Sequence, residues 1–242
     1  MRIFRSLRTL SLKNRQWKKY VLYSLGEILL IMIGLLGAYQ INQWNEGRKE
    51  VQIANDIKAE LLRALKEDRQ LIQWNHQWHK QILKAQKEMI DYLGGNQGGQ
   101  RPDTTTVSMT FKTSSFSARN ASFESLKEGG INRLGNPELK NELIMLYDQD
   151  YWTYKDAHVA YLDYLRSIME KFGPLYFTDW TWRTNIFNTE ITNWEAFRKD
   201  RSLLFELKLL YAINDALVYN NYIILNRMEK AIALLEMNLQ ED

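Results

Sequence analysis

The residues whose type and spacing invite a chemical reading are few: one glutamate inside an apolar run, three histidines, and a group of aspartates. His76 and His79, in "HQWH", stand three apart, where one helix face could present both to a metal ion. A working site of that kind needs a neighbouring carboxylate in an H-E-x-x-H or E-x-x-H pattern, or a third ligand at helical spacing. Neither adjoins the pair, and His158 is remote in sequence, so both histidines are expected on a bundle surface beside Trp78. Asp148, Asp150 and Asp156 fall among tyrosines and are expected in solvent. "GGNQGG" at 94–99 lacks the Lys-Ser/Thr that would make a glycine-rich turn a phosphate cradle. No G-x-S-x-G, G-x-G-x-x-G or paired-carboxylate pattern occurs. The expectation is a chain that is not an enzyme, with no cofactor and no metal.

Glu27 is the remaining candidate, and its surroundings decide what it can do. It stands in "SLGEILLIMIGLLGAYQINQWNE", Ser24 to Glu46, where no other charged residue occurs before Glu46. Tyr23 and Trp44 are 21 residues apart, about 31 Å along a helix, close to the roughly 30 Å of a bilayer's hydrocarbon core. Trp17, Tyr20 and Tyr23 would form one interfacial aromatic belt, Tyr39 and Trp44 the other. At 100° per residue, Gly34 and Ala38 each lie within about 20° of Glu27 on the helix. Glu27, Gly34 and Ala38 then share one face, and small residues there permit close approach of a second transmembrane helix. Three readings follow: an edge carboxylate solvated by headgroups, a helix–helix contact, or an ion-coupled carboxylate of the stator type. The contact is the reading carried forward.

Composition supports an anchored protein. The chain has 242 residues and a net charge of +3, with a mean hydropathy of −0.44 that excludes many spans. Seven basic side chains and no acidic one fall in residues 1–19, leaving 25 basic against 29 acidic in the rest. The basic excess is thus a topology signal beside the span rather than a nucleic-acid footprint, and no nucleic-acid partner is expected. The positive-inside rule puts the N-terminus in the cytoplasm and the body across the membrane. A cleaved signal peptide is the rival, with "LGA" at 36–38 as its cut. The long basic lead-in and Leu36 at the −3 position favour an uncleaved anchor. The absence of cysteine excludes thiol chemistry and disulfides.

The elements beyond the span read as helices. From Asn42 to Leu93 there is no proline and only Gly47 among glycines, with apolar residues near helical spacing from Val51 to Leu93. Asp68 and Asn75 interrupt that stripe, as register-setting polar positions do. "GGNQGGQRPD", 94–103, breaks the helix, and "TTTVSMTFKTSSF" reads as a short strand or, with nothing to pair with, an extended strap across helices. Asn120 can cap a short helix ending at Gly129-Gly130. Asn136 with Pro137 marks the start of a second long helix reaching Gly173-Pro174. A third starts at Asn193 or Asp200 and runs to the C-terminus. The fold class is all-α: a basic tail at 1–19, a transmembrane helix at 20–44 continuing into a stalk, and an extramembrane antiparallel bundle at 45–242. A loop near 94–120 and an aromatic-rich connection at 175–193, expected as a cap over one end of the bundle, interrupt it.

Two blocks carry a resemblance. "YSLGEILLIMIGLLGAYQINQWNEGRK" is similar to the opening signature of a family of bacterial single-pass membrane proteins of unknown function, common in Bacteroidota. Gly26, Glu27, Ile28, Gly34, Gln40, Ile41, Asn42, Trp44, Asn45 and Glu46 match it; Gly37 and Gly47 depart from it. "FESLKEGGINRLGNPELKNELIMLYD" resembles that family's turn followed by a helix. The resemblance implies an inner-membrane anchor with a periplasmic body, and no activity. The expected partners are the lipid bilayer and either a second copy or another membrane protein. The expected role is protein–protein interaction or scaffolding. A sensory or ligand-binding bundle, or an accessory subunit of an ion-driven complex using Glu27, are the alternatives.

Overall fold

The computed structural model describes residues 17–95, 100–115, 117, 119–178 and 190–241. The basic tail up to residue 16 and the middle of the aromatic-rich connection, 179–189, lie outside them. The chain divides into two compact units, Met1–Asn55 and Asp56–Asp242. The described part of the first is helical throughout, and its large apolar side chains, from Tyr20 through Ile31 to Trp44, are exposed.

Helix α1 spans Trp17–Leu93 without a break, as the lack of internal proline and the single Gly47 predict. It ends where Gly95 takes φ +74°, a left-handed conformation that glycine adopts at no steric cost. After residue 100 come α2 (Thr104–Thr110), α3 (Ala121–Gly130), a 3-10 turn (Ile131–Leu134), α4 (Pro137–Ile144), a π-helical turn (Met145–Asp150) and α5 (Tyr151–Tyr176). The short α6 (Trp194–Lys199) and the long α7 (Arg201–Glu241) follow. The class is all-α: among the described residues the only strand-like pairing is an isolated antiparallel bridge between Phe177 and Ile191.

Local chemistry sets the helix starts. The Asn136 side chain accepts from the backbone N–H groups of Glu138 and Leu139, with Pro137 in the first turn. Asn193 caps α6 through Ala196 N–H, and Asp200 accepts from Leu203 N–H at the head of α7. Both proposed starts of the third helix are therefore used, one for each of two helices. Asn120 makes no side-chain cap, and α3 ends at Gly129-Gly130 as expected. The chain tightens into the 3-10 turn and reverses only at Gly135, φ +68°. The segment 104–110, expected as strand or strap, is a helix instead. Asp103 Oδ1 accepts from Thr106 N–H at 2.7 Å, and Thr110 Oγ1 bonds back to Thr106 C=O at 2.8 Å, so the threonines serve the helix rather than compete with it.

In the second unit the pairing of helices corrects one feature of an antiparallel bundle. Asp68, Asn75 and Gln86 of α1 meet Tyr151, Tyr154 and Tyr161 of α5 in the same order, so these two helices run parallel. Helix α7 is antiparallel to both: Arg69 pairs with Glu229 and Lys66 with Glu236, while Arg227 reaches Asp150 and Lys171 reaches Glu206. The downward leg between the two parallel helices is the extended strap after Phe111. The strap expected from the sequence is present, but it begins after helix α2 and lies along the bundle, exposed from Ser115 onward among its described residues.

Candidate functional site

Two regions hold residues whose placement goes beyond ordinary packing: the apolar first part of α1, and a buried polar ladder inside the second unit.

The ladder is built from residues seven, four and seven apart on α1: Asp68, Asn75, His79 and Gln86, all buried. That spacing keeps them on one face. On α5 the matching rungs are Tyr151, Tyr154, His158 and Tyr161, and on α7 Asn214 and Asn221, again seven apart and buried. The end of α2 and the strap that follows it are bound to these rungs largely through backbone carbonyls. Gln86 donates to Thr110 C=O at 3.2 Å, Tyr161 to Lys112 C=O at 2.8 Å, Trp78 to Thr113 C=O at 2.9 Å and Asn75 to Ser115 C=O at 3.2 Å. Asp68 accepts from Arg119 N–H at 3.1 Å and from the Tyr151 hydroxyl at 3.1 Å. An extended segment laid against a helical core needs such partners where its carbonyls are covered, because a buried carbonyl without one costs about 1–3 kcal/mol.

His79 is the centre of the ladder. Nδ1 lies 2.6 Å from Asn214 Oδ1 and Nε2 lies 2.8 Å from Ser114 Oγ. Asn214 Nδ2 is spent as donor to His79 C=O and Gln86 Oε1. Its Oδ1 must therefore accept, which assigns the imidazole proton to Nδ1 and leaves Nε2 to accept from Ser114. Burial pushes the His79 pKa down to about 4; the Asn214 bond opposes this, and His158 and His76 add to it by like charge. The His158 ring lies 6.1 Å away, edge-on, its own pKa lowered by burial. Burial raises the Asp68 pKa against the Arg119 and Tyr151 hydrogen bonds.

The structure thus corrects the reading of "HQWH" as surface. His79 is fully buried, while His76 is half-buried and lines an open groove of about 550 Å³ with Asp215, Tyr219 and Tyr222. Asp150 is corrected too. Its side chain is 11% exposed and pairs with Arg227, which also holds Glu142 at 2.8 Å. Asp148 pairs with Lys127 at 3.2 Å, and Asp156 is exposed as expected. Asp68 and Asn75 were legible as interruptions of the apolar stripe. Gln86, Asn214 and Asn221 carry the same signal, seven-residue spacing within a core stripe, and were missed.

Glu27, Gly34 and Ala38 lie on α1 in the first unit, all exposed. A Cβ built on Gly34 would meet nothing within 4 Å. Among the described residues α1 is the one helix long and apolar enough to cross a membrane, with a window of mean hydropathy 2.1 and none of that window buried. The described edges of the aromatic-rich connection form a ring cluster: Tyr92 meets Trp194 at 5.6 Å, Trp194 meets Phe197 at 5.7 Å, and Phe111 meets Phe177 at 5.4 Å. The expected cap itself, 179–189, falls outside the described residues. Comparison with protein-family models, with curated proteins and with solved structures found no match.

Proposed function

We propose that this chain is an inner-membrane protein with one span, its basic N-terminus in the cytoplasm and its helical body in the periplasm, acting as a scaffold through protein–protein contacts. The observation that carries the reading is a contrast in how polar and apolar groups are used. Inside the body, hydroxyls, amides and imidazoles bind one another and the strap, the Ser114 hydroxyl on the His79 imidazole included. In the first unit a long apolar helix leaves Glu27, Gly34 and Ala38 exposed, with open space over Gly34 among the described residues. Seven basic residues before the span set its direction, and the likeness of the opening block to single-pass bacterial membrane proteins supports the same placement.

A periplasm-active reporter fused after Asp242 should be active, with the full-length chain in the membrane fraction. A reporter active only in the cytoplasm, or a soluble product starting near Tyr39, refutes the topology. The shallow intramembrane carboxylate supports a second reading, ion coupling. Loss of phenotype in Glu27→Gln with association and protein level intact would favour it over scaffolding.

A further inference from the structure

Helix α7 carries a second apolar stripe that its own bundle does not use. Phe205, Leu209, Ala212, Ala216, Tyr219 and Ile223 recur at intervals of four, three, four, three and four, the a/d rhythm of a coiled coil. The helix's core face is made by Leu207, Leu210, Leu217 and Ile224 instead. The stripe lies on the opposite side: Phe205 is 61% exposed, Leu209 40% and Tyr219 63%. Ala212 and Ala216 are exposed and Ile223 half-buried.

We propose that this stripe is a dimer seam, packing α7 in parallel and in register against α7 of a second copy of the chain. The flanking residues argue for that occupant. In a parallel pair each g position faces the e position five residues on in the partner. Arg201 then faces the partner's Glu206, Asp215 faces the partner's Asn220, and Tyr222 faces the partner's Arg227. Lys208 lays its stem along the partner's Ile213, and no like charges meet. The antiparallel alternative centred between Ala212 and Ala216 brings Asp215 against its own copy, which is repulsive. A two-fold axis along α7 also leaves Asp56, where each chain enters the bundle, at the same end in both copies, as two chains in one membrane require.

The seam is about 27 Å long, too short to bury the roughly 800 Å² per partner of an ordinary stable interface. It therefore rests on the membrane-anchored reading, because tethering in one bilayer supplies the effective concentration that a short seam needs. Alanines at its middle let the helices approach, and Phe205 and Tyr219 on either side supply the large exposed rings.

The chain has no cysteine, so single replacements report cleanly on full-length protein in native membranes. Ala212→Cys and Ala216→Cys should each form a disulfide-linked homodimer under mild oxidation, roughly ten-fold above Ala160→Cys on the exposed face of α5. Adding Leu209→Glu should abolish the Ala212→Cys product. A yield no higher than the Ala160→Cys control at both positions overturns the seam. A product that appears only when Ala212→Cys and Ala216→Cys copies are mixed overturns the parallel register in favour of antiparallel packing. Fractionation of the same cells separates this from the anchor. Protein found soluble would refute the anchor alone, and the seam is then judged by the same cross-links at raised protein concentration.

Discussion

The two units handle their chemistry in opposite ways. Along the described first unit, apolar side chains point outward and the Glu27 carboxylate stands exposed among them. In the second, apolar side chains point inward and polar groups are buried with them, His79, Asn214 and Gln86 hydrogen-bonded to one another at the centre of the ladder. Each pattern suits a different solvent. Hydrocarbon tolerates an exposed apolar helix because every backbone group is satisfied within it. Water drives apolar groups inside, and polar groups can follow only when hydrogen-bonded. The lesson concerns stability: removing one polar group should cost the second unit far more than the loss of an apolar contact costs the first.

The largest effect should come from Asn214→Leu. It strands the His79 Nδ1–H, the Gln86 Oε1 and a backbone carbonyl in the core, and should lower bundle stability by about 3–5 kcal/mol. Chemical denaturation of the detergent-solubilised chain, followed by circular dichroism, measures it; a change below 1 kcal/mol would show that water satisfies these groups. Leu30→Ala, in the span, should leave the same transition unmoved.

Acid should reveal the ladder next. His79 is neutral in the folded state with its pKa lowered to about 4 from 6.5, so the unfolded chain takes up the proton first. The stability that neutrality confers is complete above pH 6.5 and is lost as pH falls toward 4, by about 3 kcal/mol at most. Asp68, raised by burial, acts in the opposite sense at the acid end. Comparing the wild type with His79→Gln isolates the imidazole. Parallel stability–pH curves between 6.5 and 4 would refute the buried neutral histidine.

Arg227→Met tests the ion group at the π-helical turn. Glu142 and Asp150, 15% and 11% exposed, would lose their shared cation, at a cost of about 2 kcal/mol once partial exposure is allowed for. Thermal unfolding of the two proteins side by side gives the number. The smallest effect belongs to the span. Gly34→Ile should weaken association by about 1 kcal/mol, while Leu35→Ile, pointing elsewhere, should not. Energy transfer between labelled copies in bilayers reads the difference, and equal effects of the two changes would remove the Glu27 face from the contact.

Much of this architecture was legible because it depends on local rules. The unbroken α1 follows from a run without proline. The start at Asn136-Pro137 follows from cap chemistry, and the starts at Asn193 and Asp200 follow from the same rule applied twice. Residues 104–110 were misjudged because alternation of Val107, Met109 and Phe111 mimics a strand. What decided the matter was one side chain outside the run, Asp103, holding the first helical turn. His79 and Asp150 were misplaced for a different reason. A polar residue in a helix reads as surface unless its partner is known, and those partners, Asn214 and Arg227, lie 135 and 77 residues away.

The sequence by itself determined the long apolar helix, the basic lead-in, the all-α class and most helix ends, since each depends on residues within a few positions of one another. Only the tertiary structure decided that α1 and α5 run parallel, that the strap takes the leg between them, and which polar residues are interior. Those outcomes depend on satisfying backbone carbonyls and side-chain donors across the bundle. A buried group must find its partner wherever the chain has brought one, and no spacing along the sequence specifies that distance in advance.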